Sequence, residues 1–172
     1  MRRLTYLVMM AFCATLLCSG CGYKVTYNLS GGSIPPEAKT FSVAYFPNNA
    51  PMVAPTLSNV LTEGLRDKFS RQTKLQQVDD NGDFAFEGEI VGYTSTTASV
   101  SSDNYAVLNR LTIRVKVKFN NVIDPDNSFN REFSAFADYE STKLLTEVQS
   151  ELDAQIVEEI VTDIFQAAAS NW

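Results

Sequence analysis

From Arg110 to Phe119 the chain alternates without a break. Leu111, Ile113, Val115, Val117 and Phe119 fall on one side, and Arg110, Thr112, Arg114, Lys116 and Lys118 on the other. A period of two sustained this long marks a strand with one face in a core and the other in water. It argues against a sheet buried on both faces, whose strands run apolar throughout. The rest of the chain therefore has to cover one face of a sheet and leave the other polar.

Two segments of helical period supply that cover. Between Pro55 and Arg71, Leu57, Val60, Leu61, Leu65 and Phe69 share a face, with Gly64 placed for close approach to a sheet. Between Glu147 and Ala168, Val148, Leu152, Ile156, Ile160 and Ile164 form a row flanked by Val157, Val161 and Phe165, and Glu151, Asp153, Glu158, Glu159 and Asp163 take the polar side. The remaining strands are Thr40–Phe46, with Phe41, Val43 and Tyr45 on its inner side, Phe84 to about Ala98, and Ser128–Glu140. Phe84, Phe86 and Ile90 share a face, with Gly88 leaving a gap among them, and Glu87 and Glu89 take the opposite one. Phe84, Phe86, Phe119 and Phe129 are assigned to the core. Leu75–Val78 is a short apolar piece ended by the turn Asp79-Asp80-Asn81-Gly82, and Asp124-Pro125-Asp126-Asn127 is a second strong turn.

The order β-α-β-β-β-α predicts an α+β two-layer sandwich, with two helices packed on one face of a mixed four-stranded sheet. The first two strands are parallel through a helical crossover, and the last three form an antiparallel meander.

Ahead of this domain lies a targeting segment. Arg2 and Arg3 precede an apolar run from Leu4 to Leu17, and Leu17-Cys18-Ser19-Gly20-Cys21 closes it with small residues before a cysteine. That run is too short for a spanning helix, which needs roughly 20 apolar residues. The arrangement resembles a bacterial lipobox, which places a diacylglycerol-modified, N-acylated Cys21 first in the mature chain. A plain secretory signal with an incidental Cys21 is the alternative. The boundaries are then 1–20 for the signal, 21–38 for a lipidated N-terminus and tether, and 39–172 for a single domain. Cleavage removes two arginines and no acid, so the mature chain is more acidic than the net −6 of the whole sequence. An acidic body argues against nucleic acid as a partner.

The chain has no histidine, and Cys13, Cys18 and Cys21 are its three cysteines. That excludes Ser-His and Cys-His nucleophile pairs and histidine-ligated metal sites. Asp79, Asp80 and Asp83 superficially suggest a calcium loop, but lack the twelve-residue spacing ending in a bidentate glutamate, so a tight acidic turn is expected. No catalytic residue, metal site or cofactor is assigned beyond the covalent lipid on Cys21.

Several segments together resemble the lipopolysaccharide-assembly lipoproteins, the LptE-like family. They are Cys21-Gly22-Tyr23, Ser33-Ile34-Pro35 leading into Lys39-Thr40-Phe41-Ser42-Val43, Leu61 to Phe69, Gly82-Asp83-Phe84-Ala85-Phe86-Glu87-Gly88, Asn109-Arg110-Leu111-Thr112-Ile113, and Phe133 to Tyr139. The resemblance implies a non-enzymatic lipoprotein at the periplasmic side of the Gram-negative outer membrane. It would plug the lumen of a large β-barrel lipopolysaccharide translocon, help assemble it, and assist delivery of lipopolysaccharide to the surface. It also implies that basic residues on the sheet bind lipopolysaccharide phosphates, and the positions here are Arg114, Lys116 and Lys118, with Arg110 at the strand's end. Lysine and arginine are the natural phosphate binders. The competing account is that Glu87, Glu89 and Glu132 neutralise these cations across strands, as on many solvated sheets. A rival function from the same fold is an envelope lipoprotein that regulates another partner, such as a cell-wall synthase. A carboxylate-only hydrolase is a third, and no carboxylate pair is framed for it.

Overall fold

The computed structural model describes residues 34–52, 54–100 and 107–169; the signal segment, Cys21 and most of the tether lie outside them. The elements are β1 (Thr40–Val43), α1 (Leu57–Gln72), β2 (Gln76–Gln77), β3 (Phe84–Val100), β4 (Val107–Asn121), β5 (Phe129–Glu140) and α2 (Leu145–Ala169). A single 3-10 turn over Pro125–Asn127 joins β4 to β5. The sheet order is β2-β1-β3-β4-β5. β1 runs parallel to β3, with Phe41 opposite Phe84, and β3, β4 and β5 form the antiparallel meander. This is the expected α+β sandwich with one more strand.

The fifth strand is β2, two residues at the edge beside β1. Its exposed Gln76 and Gln77 carry no alternation that a sequence pattern could register. Backbone bonds from the Gln76 N–H to the Lys39 carbonyl (2.8 Å) and from the Val78 N–H to the Phe41 carbonyl (2.9 Å) create it. Asp83 fixes the start of β1 from the other side: its carboxylate accepts the N–H groups of Lys39 and Thr40 at 2.8 and 2.9 Å. Those bonds hold its carboxyl below the usual carboxylate range. The Asp79–Asp83 segment is thus a turn that locks β1 to β3, and Asn81 supplies its left-handed backbone at φ 55°.

Both helices lie on the face of the sheet that carries the apolar side chains. Leu111, Ile113, Val115, Val117 and Phe119 of β4 are all at most 1 % exposed. Rings connect the layers: Phe69 of α1 stands 4.7 Å from Phe86 and 5.1 Å from Phe165 of α2, and Phe86 stacks on Phe119 at 4.7 Å. A register shift between Ile90 and Gly92 inserts Val91 as a bulge. It reverses the alternation of β3, so even-numbered residues face the core up to Ile90 and Tyr93 does so afterwards.

Several placements differ from the sequence expectation. β1 ends at Val43, and it is Phe46 that turns inward, fully buried, while Tyr45 is 57 % exposed. Val60 lies at the surface instead of in the core. Gly64 faces the other helix, not the sheet: a Cβ there would sit 3.6 Å from methyls of Val157 and Val161, in ordinary contact.

Asp153 also departs from its expected polar side. It is 2 % exposed and accepts a 3.0 Å bond from the hydroxyl of buried Tyr93. Its second oxygen has no partner among the described residues. Ile156 follows one turn later on the same face, so the helix turns Asp153 toward β3 along with the core row. Burial raises the pKa of both groups, with the negative Asp153 adding to the rise at Tyr93.

Gly88 and Gly64 respond oppositely to alanine. At Gly88 a Cβ would land on the Lys116 carbonyl oxygen and 2.5 Å from the ring of Phe46. Gly88→Ala is expected to cost about 1–3 kcal/mol through overpacking. Gly64→Ala is expected to stabilise by about 0.5–1 kcal/mol, the usual helix-propensity gain. Chemical denaturation of both variants checks this. Asp153 gives a pH signature. Its folded pKa lies above the unfolded 3.8, so its contribution is intact below 3.8 and is lost as pH rises through the folded value. Asp153→Asn is therefore expected to melt higher than the parent at pH 7.5, with the gap closing as the pH is lowered toward 3.8.

Candidate functional site

The face of the sheet opposite the helices is built in rows across the three long strands. Glu87, Lys118 and Asn130 form one row, and Glu89, Lys116 and Glu132 the next. Gly92, Arg114 and Ser134 follow, then Thr94, Thr112 and Phe136, and last Thr96, Arg110 and Asp138. Because every row alternates with one pointing into the core, burial of the apolar set leaves these side chains no place but the free face.

The four cations assigned from the sequence all lie here, in unequal circumstances. Arg110 makes a two-pronged bond to Asp138 at 2.7 and 2.9 Å, and its guanidinium lies 3.7 Å over the ring of Phe136. That bond holds the Asp138 carboxyl low and pushes the Arg110 guanidinium up. Arg114 crosses to Glu132 at 3.2 Å, and Lys118 meets Glu87 at 3.3 Å. Lys116 holds no carboxylate among the described residues. Of its neighbours across the strands, Glu132 is engaged by Arg114, and Glu89 accepts a 2.6 Å bond from the side-chain amide of Asn49.

Spacing separates the cations further. From Arg110 to Lys118 is about 27 Å along a strand at roughly 3.4 Å per residue, whereas Arg114 to Lys118 is about 14 Å. Arg114, Lys116 and Lys118 thus form one cluster. Arg110 stands apart, stacked and ion-paired. Of the cross-strand partners weighed from the sequence, Glu132 meets Arg114 and Glu87 meets Lys118, while Glu89 bonds to Asn49; Arg110 is held by Asp138, which that weighing did not include.

At the Lys118 end the free face is not flat. β1 stops at Val43, whose carbonyl accepts a 2.8 Å bond from Arg66 of α1, and the Phe46 N–H donates to the buried Thr62 hydroxyl at 3.2 Å. Those two anchors pull the chain toward α1, and it rejoins β3 through bonds from the Ile90 N–H to the Pro47 carbonyl and from the Asn49 N–H to the Ile90 carbonyl, each 2.9 Å. The detour opens a depression of about 430 Å³ lined by Tyr45, Glu87, Glu89, Lys116, Lys118 and Asn130, among others. Tyr45 is the surface residue that alternation alone misplaced. The available clue was Pro47 directly after Phe46, together with a side-chain-free Gly88 that could receive a ring. Cys21 lies outside the described residues.

Comparison with known proteins agrees with this architecture. The family model LptE, lipopolysaccharide-assembly, matches residues 38–168. A minor lipoprotein from Acinetobacter baumannii has a similar structure, with TM-score 0.51 and 15 % identity over 76 % of this chain and 93 % of that one. An uncharacterized lipoprotein B from Nitrosomonas europaea is similar with TM-score 0.53 and 14 % identity, covering 84 % of this chain and 88 % of that one. At these identities the likeness is one of fold. Comparison with curated protein sequences finds no match.

The ion pairs of the cluster are half-exposed, so their contribution to stability is small. Glu132→Gln and Glu87→Gln are each expected to change unfolding free energy by less than about 1 kcal/mol. The same changes leave Arg114 and Lys118 without their carboxylates, so both are expected to increase retention on an immobilised phosphate resin. Thermal melts and salt-elution profiles measure the two effects.

Proposed function

The chain belongs to the lipopolysaccharide-assembly LptE family, and on that footing we propose that it is a non-enzymatic outer-membrane lipoprotein. In this reading it plugs the lumen of the lipopolysaccharide translocon barrel, helps the barrel assemble and assists lipopolysaccharide delivery. The observation that carries it is the extent of the match: residues 38–168 run from just before β1 into the last turn of α2, so the match spans the sandwich and not one shared motif. Family members serve lipopolysaccharide assembly, and a role in fitting and holding accords with a chain devoid of histidine.

The rest of the proposal follows from that role. Residues 1–20 direct export, and Cys21 carries the lipid that holds the protein at the periplasmic side of the membrane. Residues 21–38 tether the domain to it. Several acyl chains anchor firmly without a spanning helix, and among the described residues no helix is long and apolar enough to cross a membrane. A barrel of about 16 or more strands has a lumen wide enough to need filling. Arg114, Lys116 and Lys118 are the phosphate contacts. Lys116 leads them because among the described residues no carboxylate holds it, whereas at Arg114 and Lys118 a phosphate competes with Glu132 and Glu87.

Mild-detergent purification of the lipidated protein is expected to recover a large outer-membrane β-barrel in stoichiometric amount. Recovery of an inner-membrane synthase in its place would sink the proposal. For the ligand, the triple change R114Q/K116Q/K118Q is expected to weaken lipopolysaccharide binding by about tenfold or more, since each lost charge-assisted bond is worth more than a neutral one. K116Q alone is expected to weaken it more than R110Q, in proteins whose melting temperatures match the parent.

A further inference from the structure

We propose that the depression where β1 leaves the sheet binds an uncharged sugar ring, stacked on Tyr45 and hydrogen-bonded by Glu87, Glu89 and Asn130. The inference starts from the exposure of Tyr45. Arg66 on the Val43 carbonyl and Thr62 on the Phe46 N–H hold the turn in place, Phe46 fills the space above Gly88, and Tyr45 is left 57 % exposed at the rim of the depression. The fold gives this ring no core to join. Its exposed ring borders a polar floor, an arrangement that suits a ligand with one apolar face and one hydroxylated edge. A sugar ring is such a ligand, with its C–H groups on a face and its hydroxyls around the rim.

The charges say which ligand does not fit. Glu87 and Glu89 offset Lys116 and Lys118, so the depression presents donors and acceptors with no net formal charge. A phosphate entering beside Tyr45 would meet two carboxylates on its way to Lys116. Hydroxyls, which both donate and accept, can bond to ammonium, carboxylate and the Asn130 amide alike. Glu89 is held by Asn49 at 2.6 Å, so one acceptor is oriented before any ligand arrives. The volume of about 430 Å³ is within the roughly 300–1,000 Å³ of small-ligand sites. The inference rests on the glycolipid reading above for the source of the sugar, and it divides the face: phosphates at Arg114 and Lys116, a saccharide ring at Tyr45.

The test uses the full lipidated protein in detergent and the disaccharide of N-acetylglucosamine as a neutral probe, followed by saturation-transfer NMR. Saturation is expected to reach the sugar C–H protons, and Tyr45→Ala is expected to weaken binding by about tenfold or more. Tyr45→Trp is expected to retain it and Arg110→Gln to leave it unchanged. Glu89→Gln, which keeps the shape and loses an ionised acceptor, is expected to weaken it as well. Inorganic phosphate is expected not to displace the sugar. The inference is overturned if the disaccharide shows no transfer, if Tyr45→Ala binds as the parent does, or if phosphate displaces the sugar. Failure of the sugar while the barrel still copurifies overturns this inference alone; failure of both overturns the functional reading beneath it.

Discussion

Five apolar side chains on one face of β4, none more than 1 % exposed, set the terms for everything around them. Keeping Leu111 through Phe119 dry requires both helices on one side of the sheet. At about 25 cal/mol per Å² of apolar surface, no surface ion pair competes with that requirement. The opposite face therefore receives whatever the alternation places there. Arg114, Lys116 and Lys118 are on it because Ile113, Val115 and Val117 are not. A one-residue slip would drive the cations into the core, so the charged rows also hold the meander in register.

The face that results is charged but nearly balanced. Arg110 to Asp138, Arg114 to Glu132 and Lys118 to Glu87 leave Lys116 without a carboxylate partner among the described residues. Breaking such pairs costs little, since half-exposed ion pairs contribute little to stability.

Elsewhere the packing departs from regularity, and each departure has a local cause. The turn after β1 exists because Phe46 reaches a space that only a glycine at position 88 leaves open, and Tyr45 is turned out as a consequence. The bulge at Val91 rotates β3 so that Tyr93 faces α2, where it meets Asp153. A buried carboxyl with one oxygen unpartnered among the described residues destabilises the ionised form, and ties part of the sandwich's stability to pH.

Much of this was legible along the chain. The period of two in Arg110–Phe119, the helical rows at Leu57–Phe69 and Val148–Ile164, and the turns at Asp79–Gly82 and Asp124–Asn127 identified two helices, a one-sided sheet and the face that carries the cations. These are local patterns, repeated over many residues and enforced by burial, so a linear reading captures them. The ordered segments from Lys39 to Tyr139 carried the family. What the linear pattern missed are contacts between segments distant in sequence. Gln76 and Gln77 form a strand only because Lys39 and Phe41 offer carbonyls. Tyr45 and Phe46 exchange places because Thr62 and Gly88 receive the backbone and the ring. Buried Asp153 meets Tyr93, sixty residues away in sequence, because a bulge turns Tyr93 inward. Which arginine or lysine holds a carboxylate, and which does not, is likewise decided by strand pairing. Periodicity determines which face a residue takes; the tertiary structure decides its neighbours, because those come from other segments and leave no periodic trace in its own.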